Sequence, residues 1–227
     1  MKNKSYIGIT FIILIFGIYA VPKIVDRIKN KNITEIDRLN VQGQKESSED
    51  LLKVIGKAPA FTLIDQNKDT ISNTNFSGKV YLVEFFFASC PTICPIMNQN
   101  MLLLEKHFNN NPNFAIASIT IDPENDTPEN LKIHAKALGV TSPNWHFLSG
   151  DKKYIMALSN NGFNLFAKEN PNINGGFEHS GFFALVDKKG KIRSRKDEFG
   201  NPIVYYDGIE EAGIQALQQD IKVLLEE

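Results

Sequence analysis

A chain of 227 residues and 25.5 kDa is long enough to bury one substantial core and leave a tail or anchor over. With 42% hydrophobic residues and a formal net charge of −1 it reads as an ordinary globular protein, and the lack of a basic excess excludes nucleic acid as a partner on charge grounds. Two cysteines are too few for the disulfide framework of a small secreted domain, so their chemistry depends on their being near each other.

Residues 7–21, IGITFIILIFGIYAV, carry no charge and follow Lys2 and Lys4. The run is short beside the roughly 17–25 apolar residues of a spanning helix, which sets a cleaved signal peptide against a retained anchor. Ile18-Tyr19-Ala20 is a poor cleavage site and Tyr19 suits a membrane interface, so residues 1–22 are expected to form an N-terminal membrane anchor in contact with the lipid bilayer. Lys23, Arg27, Lys29 and Lys31 on the far side outnumber the two lysines before it, which taken alone points the rest of the chain into the cytoplasm, although large domains translocate largely regardless of flanking charge. Residues 23–54 are mostly polar and read as a tether, with the globular domain expected over residues 55–227.

Pro59 to Leu63 begins an alternating strand, Asp65-Gln66-Asn67-Lys68 forms a turn, and Ile71 closes the hairpin. Lys79 to Phe87, KVYLVEFFF, is a nearly continuous run of strand formers, expected for a central strand covered on both faces, with Glu84 as its interruption. Met97, Met101, Leu104 and Phe108 then recur at helical spacing, and Asn109 to Pro112 ends that helix. Phe114 to Ile121 is a second buried strand. Thr127 and Pro128 mark N-cap and first position of the next helix, which Gly139 terminates. Trp145 to Leu148 is a short strand, 151–160 a helix, Phe182 to Val186 and Lys191 to Arg193 a strand pair, and Ile214, Leu217, Ile221 and Leu224 one face of a terminal helix. This order describes an α/β fold, a mixed central sheet with helices on both faces, and a dithiol at the first strand-to-helix junction makes it thioredoxin-like.

Cys90 and Cys94 are four positions apart, so in a first helical turn both sulfurs face one side, at a Cα separation within the roughly 4.4–6.8 Å that a disulfide accepts. Two chemistries are open, a reversible disulfide and a metal held by two thiolates. Either uses the thiolate, which a helix N-terminus stabilises at Cys90, and Pro91 and Pro95 suit an early helical turn. Structural zinc wants four ligands, and neither a second cysteine pair nor a closely spaced histidine pair supplies them. Cu(I) is soft and is well served by two thiolates and an imidazole. Of the four histidines, His107 is explained by a helix C-terminus, and His134 and His146 as surface or satisfied core residues. His179 follows the loop Asn172 to Gly176 and precedes the strand at Phe182, where a thioredoxin-like fold brings a loop beside its dithiol. It stands where such folds place a cis-proline, and is expected as the third ligand. Met97 and Met101 at helical spacing read as core rather than copper ligands. Asp122 and Asp126 could be weak Cu(II) ligands, yet helix capping accounts for Asp126.

These residues resemble the Sco/SenC family of membrane-anchored copper proteins that assemble cytochrome c oxidase. The similarity runs from about Gly56 onward in blocks: Cys90-Pro91-Thr92-Ile93-Cys94-Pro95, Thr120 to Pro128, Trp145 to Gly150, and His179-Ser180 before a Leu-Val-Asp strand end. The resemblance implies a thioredoxin-like fold, a single N-terminal anchor with the domain facing the periplasm or the mitochondrial intermembrane space, of which the periplasm, from an inner-membrane anchor, is expected here, and copper, as Cu(I) and in some states Cu(II), bound by Cys90, Cys94 and His179. It implies as partners the copper-site subunit of cytochrome c oxidase and other copper chaperones or thiol reductants. Where the family commonly has a Gly and a Thr-His pair before the first cysteine, this chain has Phe86 and Ala88-Ser89. Glu84, six residues before Cys90, stands at the spacing of the buried acid of thioredoxins. Buried, it would have a raised pKa and serve as a base for Cys94, whereas exposed at an edge it would have no role.

Two functions follow. A metallochaperone would hold and pass on copper without turning over a substrate. A thiol–disulfide oxidoreductase would attack a partner disulfide with Cys90, resolve it with Cys94 and use Glu84 as the catalytic base. A peroxiredoxin motif aligned on Cys90 needs a proline at Val83 and a threonine at Phe87, and neither is present.

Overall fold

The structure is a computed structural model that describes residues 14–19, 21–22, 51–108 and 111–227. The chain divides into two units, Met1–Lys45 and Glu46–Glu227. In the first, residues 14–19 and 21–22 are helical; the rest of the expected anchor over 1–22, and the expected tether as far as residue 50, lie outside the described residues. Among the described residues no helix is long and apolar enough to cross a membrane.

The second unit opens with β1 (Leu52–Lys57), so regular structure starts ahead of the expected boundary at 55. Next come β2 (Thr62–Asp65), β3 (Thr70–Ser72), a single 3₁₀ turn over Asn73–Phe76, and β4 (Val80–Phe86). The loop 87–93 leads into α1 (Cys94–Phe108), followed by β5 (Phe114–Thr120), α2 (Pro128–Leu138) and β6 (Trp145–Ser149). Then α3 (Lys152–Ala157) runs on into a wider π-type turn over Leu158–Phe163. The chain finishes with β7 (Ala167–Glu169), β8 (Phe177–His179), β9 (Phe182–Val186), β10 (Lys191–Arg195), β11 (Tyr206–Asp207) and α4 (Glu211–Glu226).

The main sheet has the order β1-β10-β9-β4-β5-β6-β2-β3, with β11 paired to β9. β4, β5 and β6 are parallel and the other pairings antiparallel, so the sheet is mixed as expected. Every residue of β4 and β5 is buried, which requires cover on both faces and explains why their sequences run apolar without alternation. Each fully buried Leu, Val or Phe in them contributes about 1.5–3 kcal/mol. Thr127 caps α2 by accepting from Asn130 N, Pro128 occupies its first turn, and Gly139 closes it at φ +81°. The sequence expectation for this helix holds at both ends.

Among the strands that escaped the sequence reading, β7 and β8 did so because they are short. β7 and β8 form a separate two-stranded sheet, with His179 opposite Ala167. The loop Asn172 to Gly176 leading to His179 is therefore the turn of a hairpin, and His179 closes its second strand.

Candidate metal centre

The centre lies where β4 ends. Strand β4 carries the chain to Phe86, and the backbone then turns, with Cys90 N donating to Phe87 O at 3.2 Å. The first helical turn forms at Ile93, whose carbonyl accepts from both Ile96 N and Met97 N. Cys94 is thus at the head of α1, while Cys90 stands in the loop before it. This corrects the expectation that both cysteines share a first helical turn. The loop with Pro91 curls back on itself, and it is this curl, not helical periodicity, that brings the sulfurs together.

The loop is fastened from the far side of β5. Asp126 accepts from Ala88 N at 3.0 Å and from Thr120 Oγ1 at 2.5 Å. Asp126 is therefore a brace for the cysteine loop and not the cap of α2, which is Thr127. Burial raises its pKa, and the two hydrogen bonds pull the other way. Asp122 accepts from Asn125 Nδ2, and neither aspartate joins the cysteines in a ligand group.

From the other side the β7–β8 hairpin delivers His179. Its turn rests on the cysteine loop: a Cβ added to Gly175 would lie 3.0 Å from Phe87 Cε2 and 3.0 Å from Pro91 Cδ. Phe87 also packs edge-on against the His179 ring at 5.8 Å and against Phe177 at 5.4 Å. One aromatic side chain next to the cysteines thus sets the imidazole's position.

Cys90 Sγ, Cys94 Sγ and a ring nitrogen of His179 lie within 4.8 Å of one another, the one such group among the described residues. Cys94 Sγ is 3.0 Å from His179 Nε2. Nδ1 of the same ring is 3.0 Å from the Ser180 carbonyl, which can only accept, so Nδ1 carries a proton and, in the neutral ring, Nε2 turns its lone pair towards the sulfurs. That is the tautomer a metal needs. Both thiols are free and buried, Cys90 8% and Cys94 2% exposed. The Cys94 thiol beside it holds Cys90 down to about 3 against the opposing effect of burial, with His179 adding to the lowering. Cys94 is pushed up, first by the neighbouring Cys90 sulfur and then by burial. The two thiols therefore titrate as a coupled pair, the lowering falling on Cys90 and the rise on Cys94.

Glu84 is fully buried, which settles its placement against the exposed edge. Ser118, its partner in register on β5, donates to Oε1 at 2.5 Å and accepts from Trp145 Nε1 at 2.9 Å. Burial pushes the carboxyl up to about 7, opposed by the Ser118 hydrogen bond and the charge of His179. It makes no hydrogen bond to either cysteine: Oε2 has no partner.

The remaining sequence candidates fall elsewhere. Met97 and Met101 are core residues. His107 packs against Phe108 at the end of α1, and His146 bonds Asp65 at 3.2 Å. His134, expected as a surface or satisfied core residue, is half-buried and stacks on Phe86 at 5.7 Å, with no hydrogen-bond partner on its Nε2. Burial lowers its pKa. The sequence reading missed Phe87 and Gly175 as positioning residues, though the Gly175-Gly176 pair was a turn signal that could have found the hairpin.

The sequence model of the SCO1/SenC family matches residues 53–212. The SCO1 protein homolog of Bacillus subtilis is 32% identical over 164 residues, covering 71% of this chain and 79% of that one. The solved structure of BsSco, described as a member of the Sco family of cytochrome c oxidase assembly proteins with a disulfide switch, superposes at TM-score 0.63 and 28% identity over 76% of this chain and 95% of that one. Bradyrhizobium japonicum ScoI, solved with copper bound, shares the fold at TM-score 0.59 and 23% identity, covering 74% of this chain and 99% of that one. By this match, and by the thioredoxin-like sheet that carries its dithiol, the chain belongs to the SCO1/SenC family.

Proposed function

We propose that the protein is a copper metallochaperone of cytochrome c oxidase assembly, which takes a copper ion as cargo on Cys90, Cys94 and His179 and passes it to the oxidase's copper site. The observation that carries this reading is the ligand set itself: two thiols and an imidazole lone pair within 4.8 Å of one another. Its soft donors and low ligand number fit copper better than structural zinc. Copper is bound in the related ScoI fold, and BsSco is named as an oxidase assembly protein. Placement of the domain in the periplasm on an anchor at residues 1–22 belongs to the same proposal, since the recipient site would have to be reached from that side of the membrane.

The chain's own residues do three things for the ion. Cys90 offers a thiolate without first losing a proton, because Cys94 beside it holds its pKa low. His179 is held in the ligating tautomer by the Ser180 carbonyl. Cys94, whose pKa is raised, must lose its proton for the site to close.

Anaerobic Cu(I) titration against a competing chelator tests the reading. One ion per chain is expected, and His179→Ala should bind at least about 10–100-fold more weakly, the loss usual even for an outer-shell partner of a metal site. Unchanged affinity in that variant would sink the three-ligand site.

A second reading, thiol–disulfide exchange on partner proteins, is favoured by the buried Glu84 and by the disulfide switch described for BsSco. Here Cys90 attacks, Cys94 resolves, and Glu84 is the base. Reductase activity of the metal-free dithiol protein no greater than that of free dithiol counts against it.

A further inference from the structure

Helix α3 and the π-type turn behind it hold no ligand, yet they meet the ligand-bearing hairpin at both ends of β7. Asn160, in that turn, donates through Nδ2 to the Ala167 carbonyl at 2.8 Å and to the Met156 carbonyl at 3.0 Å, and through Oδ1 accepts from Ala167 N at 3.1 Å. Ala167 stands opposite His179 in register. The cross-strand bond there runs between their neighbours, Ser180 N donating to Phe166 O at 2.8 Å, so the Ala167 N–H and C=O face away from β8. The Asn160 amide fills that outer edge as an added strand would. Ala167 is buried, so without the amide a donor and an acceptor opposite His179 would be left unpaired.

The other end of β7 is held by Lys152. This lysine begins α3, where a cation opposes the helix dipole, so its place is set by partners outside the helix. Its Nζ is 2.9 Å from Glu169 Oε1 and 5.5 Å from the centre of the Phe177 ring, two residues that face each other across the hairpin. It also lies 3.6 Å from Glu124 Oε2. Glu124 belongs to the turn in which Asp122 O accepts from Asp126 N at 2.8 Å, and Asp126 is the brace of Ala88 in the cysteine loop. One cation thus touches both the hairpin that carries His179 and the turn that fastens the loop of Cys90. Both of its carboxylate partners are exposed, so its share is smaller than that of Asn160.

We propose that α3 and its π-type turn are the platform that sets His179 over the two sulfurs, with Asn160 and Lys152 as its positioning residues. Neither touches the ion. They act by raising the fraction of molecules in which the imidazole already stands at ligating distance, and apparent affinity scales with that fraction. The effect on copper rests on the copper reading, whereas the effect on the imidazole does not.

In metal-free dithiol protein labelled with ¹⁵N at histidine, the ring resonances lost in His179→Ala report this imidazole, whose protons feel the ring current of Phe87 packed edge-on against it. Asn160→Ala and Lys152→Met should each move or split those resonances and leave those of His107 and His146 in place. Thr127→Ala, which lowers stability away from the hairpin, should not move them. Cu(I) affinity, read against a competing chelator, should fall about 10-fold in Asn160→Ala and about 3-fold in Lys152→Met. It should return in Lys152→Arg, which keeps the charge and stacks on aromatic rings. Ring resonances unmoved in either variant overturn the inference, and so does an affinity loss in Lys152→Met that Lys152→Arg does not restore. Asn160→Asp, which keeps the acceptor for Ala167 N and loses both donated bonds, serves if Asn160→Ala does not fold. Wild-type protein that binds no Cu(I) refutes the copper reading alone, and the ring resonances then decide.

Discussion

At the scale of single residues, the centre works because two cysteines of identical type are made different. With its thiol held down to about 3, Cys90 should react with iodoacetamide at a rate that hardly changes between about pH 5 and pH 8. A Cys90 rate rising tenfold per pH unit would refute this. Cys94 should stay unmodified until much higher pH, as mass spectrometry of the labelled peptides would show. Glu84 gives a second prediction at this scale. Its pKa is about 7 in the folded protein against 4.5 for an ordinary glutamate, so the folded state binds more protons across that interval. Stability from this group is then fully present below about pH 4.5 and is lost as pH rises through about 7, a change on the order of 3 kcal/mol. Urea denaturation of wild type and Glu84→Gln should give similar stabilities at low pH and a more stable variant at high pH. A stability difference independent of pH would mean that Glu84 does not titrate in this range.

At the scale of elements, the site is where three short segments meet: the cysteine loop, the head of α1 and the β7–β8 hairpin. None of them is long enough to place a ligand alone. The contact between hairpin and loop passes through Gly175, at φ +91°, against Phe87 and Pro91. Gly175→Ala therefore faces both a left-handed backbone, which costs an L-residue about 1–2 kcal/mol, and a Cβ tight against two rings. It should lower stability by at least that amount and weaken Cu(I) binding by shifting His179. Thr127→Ala, which removes the α2 cap, should cost about 1 kcal/mol and leave Cu(I) affinity unchanged. Affinity falling equally in both variants would show that loss of binding merely follows loss of stability.

For the whole molecule, stability rests on residues outside the candidate metal centre. Arg193, in β10, donates to Leu52 O at 3.0 Å, to Asp187 at 2.9 Å and to Glu227 at 3.0 Å, tying the edge strand β1, the end of β9 and the C-terminal residue together. All but Glu227 are buried. Arg193→Ala would leave Asp187 buried without its cation and should cost about 3–5 kcal/mol, read by urea denaturation, with copper stoichiometry unaffected in the folded fraction. A loss under 1 kcal/mol would mean that water replaces the cation, on the order of what an exposed pair contributes. Arg195, which grips Asp220 through two nitrogens at 2.8 and 2.9 Å while Tyr206 donates to the same carboxylate, fastens α4 to the sheet in a similar way.

The sequence by itself determined the strands β4 and β5, helices α1, α2 and α4, and the three residues of the candidate metal centre. Those features rest on local periodicity, on caps such as Thr127, and on the rarity of cysteine and histidine in this chain. Strands β1, β7, β8 and β11 were not legible: the last three have two or three residues, carry no periodicity and exist only through their partners, and β1 begins within the stretch whose polar composition reads as a tether. Only the tertiary structure decided the placement of Cys90 ahead of the helix, the bracing of Ala88 by Asp126, the His179 tautomer and the burial of Glu84. Each depends on a backbone group or a neighbouring strand brought close by long-range pairing, and no spacing within one segment encodes that.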